Sequence, residues 1–178
     1  MRLVFHFLFG FVTLIVIGAA WTSAVGTSRV APVPIVVIAL YLGLTSRGHL
    51  ASAVAAAIAV GYCGDVLSGT PQGLFALGAA LTAIVGHIAQ GRFVLRGHIL
   101  SAAVVTVAAA LFLWVTAALS RAVGIDTGAS LPAQLVAASA ALTAVVGPVQ
   151  LALHRRIDAR LARTQRERDA TLEGVASA

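Results

Sequence analysis

The sequence contains no lysine, a single cysteine and few charged residues. Of its 178 residues 10% are charged and 60% are hydrophobic, and the mean hydropathy is +0.99, whereas soluble domains contain about 25% charged residues. Without lysine the chain has neither a Walker-type phosphate site nor a Schiff base to a cofactor. A single cysteine, Cys63, excludes an intrachain disulfide and a cysteine-rich metal cluster. This composition indicates a membrane protein with no room for a soluble catalytic domain.

Long uncharged stretches occupy nearly all of the chain before Leu153. A helix needs about 17 to 25 apolar residues to cross the ~30 Å hydrocarbon core, and the first stretch is long enough to be a retained helix instead of a cleaved signal. We therefore predict an all-α polytopic membrane bundle of six transmembrane helices over residues 1–153 and a basic cytoplasmic tail over residues 154–178. The predicted spans are 3–25, 30–44, 50–67, 74–89, 99–119 and 131–153.

The arginines predict an orientation for these spans. With the N-terminus in the cytoplasm, outside loops hold only Arg29 and Arg121, whereas ten arginines lie on the cytoplasmic side. Because positive residues are retained on that side, both termini are expected in the cytoplasm. Membrane headgroups also explain the formal charge of +6 better than nucleic acid does.

Asp65 is the only acidic residue within a predicted span. A carboxylate in hydrocarbon costs about 2.5–3.5 kcal/mol at a helix centre on insertion scales, so an intramembrane aspartate is a functional candidate by default. Three interpretations remain open: packing or partner contact, an interfacial residue that caps the helix after Pro71, and proton or ion coupling.

Small residues recur around Asp65 at four-residue spacing. Ala57, Gly61 and Asp65 share one face of the third segment, and a second stripe of small residues runs along the fourth segment. Such stripes let two membrane helices approach each other closely. We predict a tight hairpin of these two segments, joined by a turn that proline stiffens and glycine loosens. The predicted packing and partner residues are Asp65, Gly61, Gly64, Gly69, Pro71, Gly73, Gly78, Thr82 and Gly86.

No catalytic, cofactor or metal site is predicted. The five histidines contain no pair at i, i+3 or i, i+4 spacing, and no Gly-x-Ser-x-Gly or His-Glu-x-x-His motif occurs. His49, His98 and His154 are interpreted as ordinary residues of the cytoplasmic boundary; the other two are His6 and His87.

The tail is interpreted as a basic amphipathic extension of the sixth segment. Ile157 and Leu161 share a helical face with Leu153, and four arginines surround it: Arg155, Arg156, Arg160 and Arg163. Binding of anionic lipids is the functional interpretation. The alternative is a topological anchor that loses its structure after Asp169.

Residues 61–77 carry a resemblance to a known family. Their sequence is Gly-Tyr-Cys-Gly-Asp-Val-Leu-Ser-Gly-Thr-Pro-Gln-Gly-Leu-Phe-Ala-Leu. It resembles the most characteristic stretch of the rod shape-determining protein MreD family, in which a glycine-containing helix end leads to Asp, Leu-Ser, a Pro-x-Gly turn and a Leu-aromatic-Ala-Leu helix start. This match covers under a fifth of the chain.

The resemblance implies a non-enzymatic scaffold of the bacterial elongation machinery in the inner membrane. Its expected partners are the bitopic protein MreC, the actin-like MreB, the glycosyltransferase RodA and a class B penicillin-binding protein, which together support cell shape and lateral peptidoglycan synthesis. The family's fold is similar to that of the six-helix S-components of energy-coupling-factor transporters. A vitamin-like uptake component is therefore the alternative function, since fold alone does not decide between the two.

The orientation predicts a labelling pattern. In a Cys63→Ser background, a cysteine at Thr127 should react in intact cells with an impermeant thiol reagent, whereas a cysteine at Thr164 should be protected because the cytoplasmic face is sealed. The opposite pattern would overturn the predicted topology.

Overall fold

Six helices run through the residues that the computed structural model describes, which are 2–25, 31–46, 49–90, 98–122, 124 and 133–176. Four of them contain apolar stretches long enough to cross a membrane, and the second and fourth are shorter. The predicted all-α membrane bundle is confirmed. The helices are α1 (Arg2–Val25), α2 (Pro34–Thr45), α3 (Leu50–Ser68), α4 (Leu74–Ala89), α5 (His98–Ala122) and α6 (Ala133–Ala176).

The two ends of the bundle are distinguished by the direction of the chain. We call the end that contains the start of α1 the proximal end, and the end that contains the turn between α3 and α4 the distal end. α2 begins at Pro34 at the distal end, four residues later than its predicted span, because Pro34 fits the first turn of a helix.

α6 extends beyond the predicted domain boundary. His154 is fully buried, so the boundary between residues 153 and 154 falls within the packed bundle. The helix continues to Ala176, which differs from the alternative in which structure is lost after Asp169.

α2 forms the centre of the bundle. Every residue from Pro34 to Gly43 is buried, and α2 contacts each of the other five helices. A helix that is apolar all round must be surrounded by protein or lipid, and here protein surrounds it. Its twelve residues span about 18 Å, which is less than the hydrocarbon core.

Glycine lets α2 and α4 approach closely. A Cβ atom on Gly43 would collide with the carbonyl oxygen of Ala83, and one on Gly86 would lie 2.9 Å from the carbonyl oxygen of Leu40. The nearest atoms in both cases belong to the backbone of the facing helix, which cannot move aside as a flexible side chain can, so small residues hold α4 closely against the central helix.

This packing predicts different outcomes for two glycine substitutions. Gly43→Ala should lower the unfolding temperature in detergent, because overpacking costs about 1–3 kcal/mol. Gly18→Ala is the matched control, since its Cβ would meet no atom within 4 Å and alanine favours the helix. Equal unfolding temperatures for the two variants would contradict the close contact of α2 with α4.

Candidate functional site

The turn between α3 and α4 places Asp65 inside the protein. α3 ends at Ser68, and the chain reverses through two glycines with left-handed backbone angles, Gly69 at φ 66° and Gly73 at φ 100°. Glycine adopts this conformation without the steric cost that a side chain brings. The two glycines were predicted to make the turn flexible, but their role is to supply the left-handed backbone angles that the turn requires.

The carboxylate of Asp65 caps α4. It is fully buried, and it accepts hydrogen bonds from the backbone amides of Gly73 at 2.9 Å and Phe75 at 2.9 Å. The amide of Ala76 at 3.3 Å and the hydroxyl of Thr70 at 3.0 Å complete four contacts. A carboxylate at a helix start satisfies otherwise unpaired amides and interacts favourably with the helix dipole. Of the three interpretations of Asp65, the geometry matches the helix cap.

The predicted α3 glycines make close contacts beside this cap. A Cβ atom on Gly61 would lie 2.6 Å from the Cα of Ala76, and one on Gly64 would collide with the side chain of Ile35. Gly61 thus brings α3 against the first turn of α4, while Gly64 brings it against α2. Within the turn, the carbonyl of Pro71 accepts from the amide of Leu74 at 3.3 Å.

The small residues of α4 do not face α3 as predicted. Gly78 packs under the ring of Phe112 on α5, where a Cβ atom would lie 2.7 Å from the ring. Gly86 faces α2, and the buried hydroxyl of Thr82 donates to the carbonyl of Gly78 at 2.8 Å. The predicted hairpin exists, but the α4 stripe packs on α2 and α5 because the central α2 occupies that side of α4.

The outer rim of the turn is apolar and exposed. Tyr62, Val66 and Leu67 on the last turns of α3 are 45%, 58% and 55% exposed. Val66 lies on the side of α3 opposite the buried Gly61, Gly64 and Asp65, and Tyr62 and Leu67 lie on either side of Val66. A partner can therefore contact these side chains, whereas the Asp65 carboxylate is enclosed by its own chain.

Side chains of α6 provide hydrogen-bond partners for backbone groups at the start of α2. The amide of Val33 donates to the hydroxyl of Thr143 at 2.9 Å, and the side-chain amide of Gln150 donates to the carbonyl of Pro34 at 3.5 Å. Thr143 and Gln150 are both buried. Polar side chains of α6 thus partner backbone groups at the beginning of the short central helix.

A second polar cluster lies at the proximal end. Nδ1 of His6 and Nδ1 of His154 lie 3.2 Å apart, and Nε2 of His6 donates to Asp158 at 2.8 Å. The hydroxyl of Tyr41 donates to the other carboxylate oxygen. His154 is also stacked on Tyr41, with ring centroids 4.9 Å apart. These four residues, which we call the proximal cluster, join α1, α2 and α6.

The hydrogen bonds of the proximal cluster imply a tautomer for each neutral ring. If Nε2 of His6 carries the proton given to Asp158, Nδ1 of His6 is an acceptor, so Nδ1 of His154 must donate to it. The remaining Nε2 of His154 is then an unprotonated acceptor. This nitrogen is buried and has no hydrogen-bond partner among the described residues.

The proximal cluster was not predicted from the sequence. His154 was interpreted as a boundary residue, but it is fully buried, and His6 and Tyr41 are only 2% and 3% exposed. Asp158 was assigned to the tail. The four-residue spacing of His154 and Asp158 was a signal for a shared helical face, but spacing along the chain does not reveal His6, which is about 150 residues away.

The four arginines predicted to contact lipid headgroups face outward. Arg155, Arg156, Arg160 and Arg163 are exposed, as lipid-headgroup binding requires. Among the described residues, no group of three or more histidine, cysteine, aspartate or glutamate side chains is arranged to hold a metal ion.

No family model, curated protein or solved structure matches the chain significantly. Composition and architecture therefore define its class: a helical integral membrane protein.

The cap predicts graded effects at Asp65. Asp65→Leu leaves the α4 amides without acceptors in a buried site and should strongly lower the unfolding temperature in detergent, since hydrogen bonds to charged groups contribute about 1.5–3 kcal/mol each. Asp65→Asn keeps one acceptor oxygen and should be milder. If Asp65→Leu were as stable as the wild type, the carboxylate would not support α4.

Proposed function

We propose that this chain is a non-enzymatic membrane scaffold similar to MreD, which binds a single-span partner similar to MreC. The observation that carries the proposal is the way in which the motif of residues 61–77 folds. Its aspartate and glycines form one closed unit through the Asp65 cap and the close contacts of Gly61 and Gly64. The residues that carry the resemblance thus have a common structural purpose, namely a rigid turn.

The partner surface in this proposal is the exposed rim of that turn, made of Tyr62, Val66 and Leu67. Asp65 acts indirectly, because its carboxylate fixes the turn that presents these side chains. Aromatic and aliphatic side chains on a rigid support are suitable anchors for a partner helix, since little side-chain or backbone entropy is lost on binding.

The orientation in this proposal places the distal end outside the cytoplasm and both termini inside it, in a bacterial inner membrane. The exposed arginines of α6 then lie at the cytoplasmic surface, where anionic lipids attract them. RodA, the class B penicillin-binding protein and MreB complete the proposed elongation complex.

The alternative function is a vitamin-like uptake component. A cavity of about 640 Å³ at the distal end is large enough for a small molecule. However, its described walls carry no ionisable side chain, and a polar metabolite needs several convergent polar groups for specific binding. This wall chemistry favours the scaffold.

Affinity purification from native membranes tests the proposal. Tyr62→Ala/Val66→Ala should reduce the co-purified single-span partner by about tenfold or more, as expected when two interface anchors are removed. Val145→Ala/Val149→Ala is the matched control, because these α6 side chains are 73% and 67% exposed and lie away from the turn. Equal partner recovery in both variants would refute the docking surface, and recovery of an ATPase module would support uptake.

A further inference from the structure

α1 and α6 are joined at the proximal end of the bundle and separated by a cavity at the distal end. The proximal contacts are the His6–His154 and His6–Asp158 interactions and a hydrogen bond of 3.4 Å from the side-chain amide of Gln150 to Thr13. Beyond them the distal half of α1, from Leu14 to Thr22, lines one wall of the cavity. The start of α6 lines the opposite wall with Leu135, Val136 and Ser139.

The walls of this cavity are those of a hydrocarbon site. The described lining residues are mostly aliphatic or aromatic, their polar groups are a few hydroxyls and the indole N–H of Trp21, and none is ionisable. Several hydroxyls are already used within the chain: Thr22 donates to the carbonyl of Gly18 at 3.0 Å, and Ser68 donates to that of Gly64 at 2.6 Å. Such walls offer little to retain water, because a buried water needs two to four polar partners.

The shape of the cavity restricts its occupant. A transmembrane helix is about 10–12 Å wide and needs a groove along much of its length, but the proximal contacts between α1 and α6 close this cavity at one end. The occupant must therefore be narrow, apolar and able to end inside the bundle. A hydrocarbon chain has all three properties, and the surrounding bilayer supplies it at high concentration.

We propose that the distal cavity binds one acyl chain of a membrane glycerophospholipid, which enters between α1 and α6. The headgroup remains at the distal membrane surface, and the chain lies against Ile15, Gly18 and Val136. Gly18 leaves room for it, since a Cβ atom there would meet nothing within 4 Å. Leu67 of the proposed partner surface also lines this cavity, whereas Tyr62 and Val66 are not among its described lining residues.

The two tryptophans of the chain provide a direct test. Trp21 lines the cavity, whereas Trp114 on α5 is 67% exposed on the outer surface of the bundle. In the full chain carrying Trp114→Phe, the remaining Trp21 reports quenching in the cavity. In the chain carrying Trp21→Phe, the remaining Trp114 reports quenching by bulk lipid. Both variants are reconstituted with increasing fractions of phosphatidylcholine brominated on its acyl chains, which quenches tryptophan only at short range.

We expect quenching of Trp21 to saturate, with half of the effect at a brominated fraction about tenfold lower than for Trp114. Gly18→Leu, which fills the cavity, should abolish this high-affinity component in the Trp114→Phe background. Ala20→Leu is the matched control, because Ala20 is exposed. This substitution adds the same side chain to the same helix, but outside the cavity. Val136→Phe blocks the cavity from the opposite wall and is the second blocking variant, to be used if Gly18→Leu fails to fold.

Indistinguishable quenching curves for the two tryptophans would show that no lipid chain is preferentially bound, and would overturn the proposal. Saturable quenching of Trp21 that survives both blocking variants would also overturn it, because the bound lipid would then lie outside the cavity. Loss of partner binding in the Tyr62→Ala/Val66→Ala protein should leave the quenching of Trp21 unchanged, because neither residue lines the cavity, and this separates the lipid site from the proposed scaffold function.

Discussion

Two short helices impose the main constraint on this protein, because their ends carry unpaired backbone groups. α2 and α4 contain 12 and 16 residues, which correspond to lengths of about 18 and 24 Å. Both are shorter than the hydrocarbon core, which is about 30 Å thick. At least one end of each helix therefore lies where water is scarce and each unpaired amide or carbonyl costs several kcal/mol. The carboxylate of Asp65 partners the start of α4, and the hydroxyl of Thr143 partners the amide that precedes α2. The polar residues in the spans are placed where these helix ends need them.

The same constraint connects the two polar sites of the molecule through α2. At its distal end, Ile35 packs on Gly64, next to Asp65 near the end of α3. At its proximal end, Tyr41 belongs to the cluster with His6, His154 and Asp158. Because α2 is buried on every side, a shift of this helix along its axis would disturb the packing of all five neighbours. Interiors packed at this density transmit displacement instead of absorbing it.

The sequence was sufficient to predict the features that depend on local chemistry. Hydropathy located the six helices, and proline and glycine located the turn at residues 69–73, because span length and backbone restriction are properties of short segments. Asp65 was recognised as the polar residue of the distal site, with the helix cap among three open interpretations. Which faces meet was harder to infer: Gly78 and Gly86 pack on α5 and α2 because the position of a central helix is not encoded in the spacing of its neighbours. The proximal cluster was missed for the same reason, since His6 and Asp158 come together only when α1 and α6 are docked.

Burial of Asp65 changes what a scaffold could recognise at the distal end. A carboxylate with four donors from its own chain has little acceptor capacity left for a partner, so recognition by charge is not the role that this geometry supports. The carboxylate instead ties the end of α3 to the first turn of α4, and Tyr62 and Leu67 lie on that end of α3. α1 lies outside this arrangement: only 6% of its span is buried, and its polar side-chain contacts with α6 are concentrated at the proximal end. In the proposed lipid site, the acyl chain packs against this distal half and adds to the contacts that α1 makes with α2 and α3.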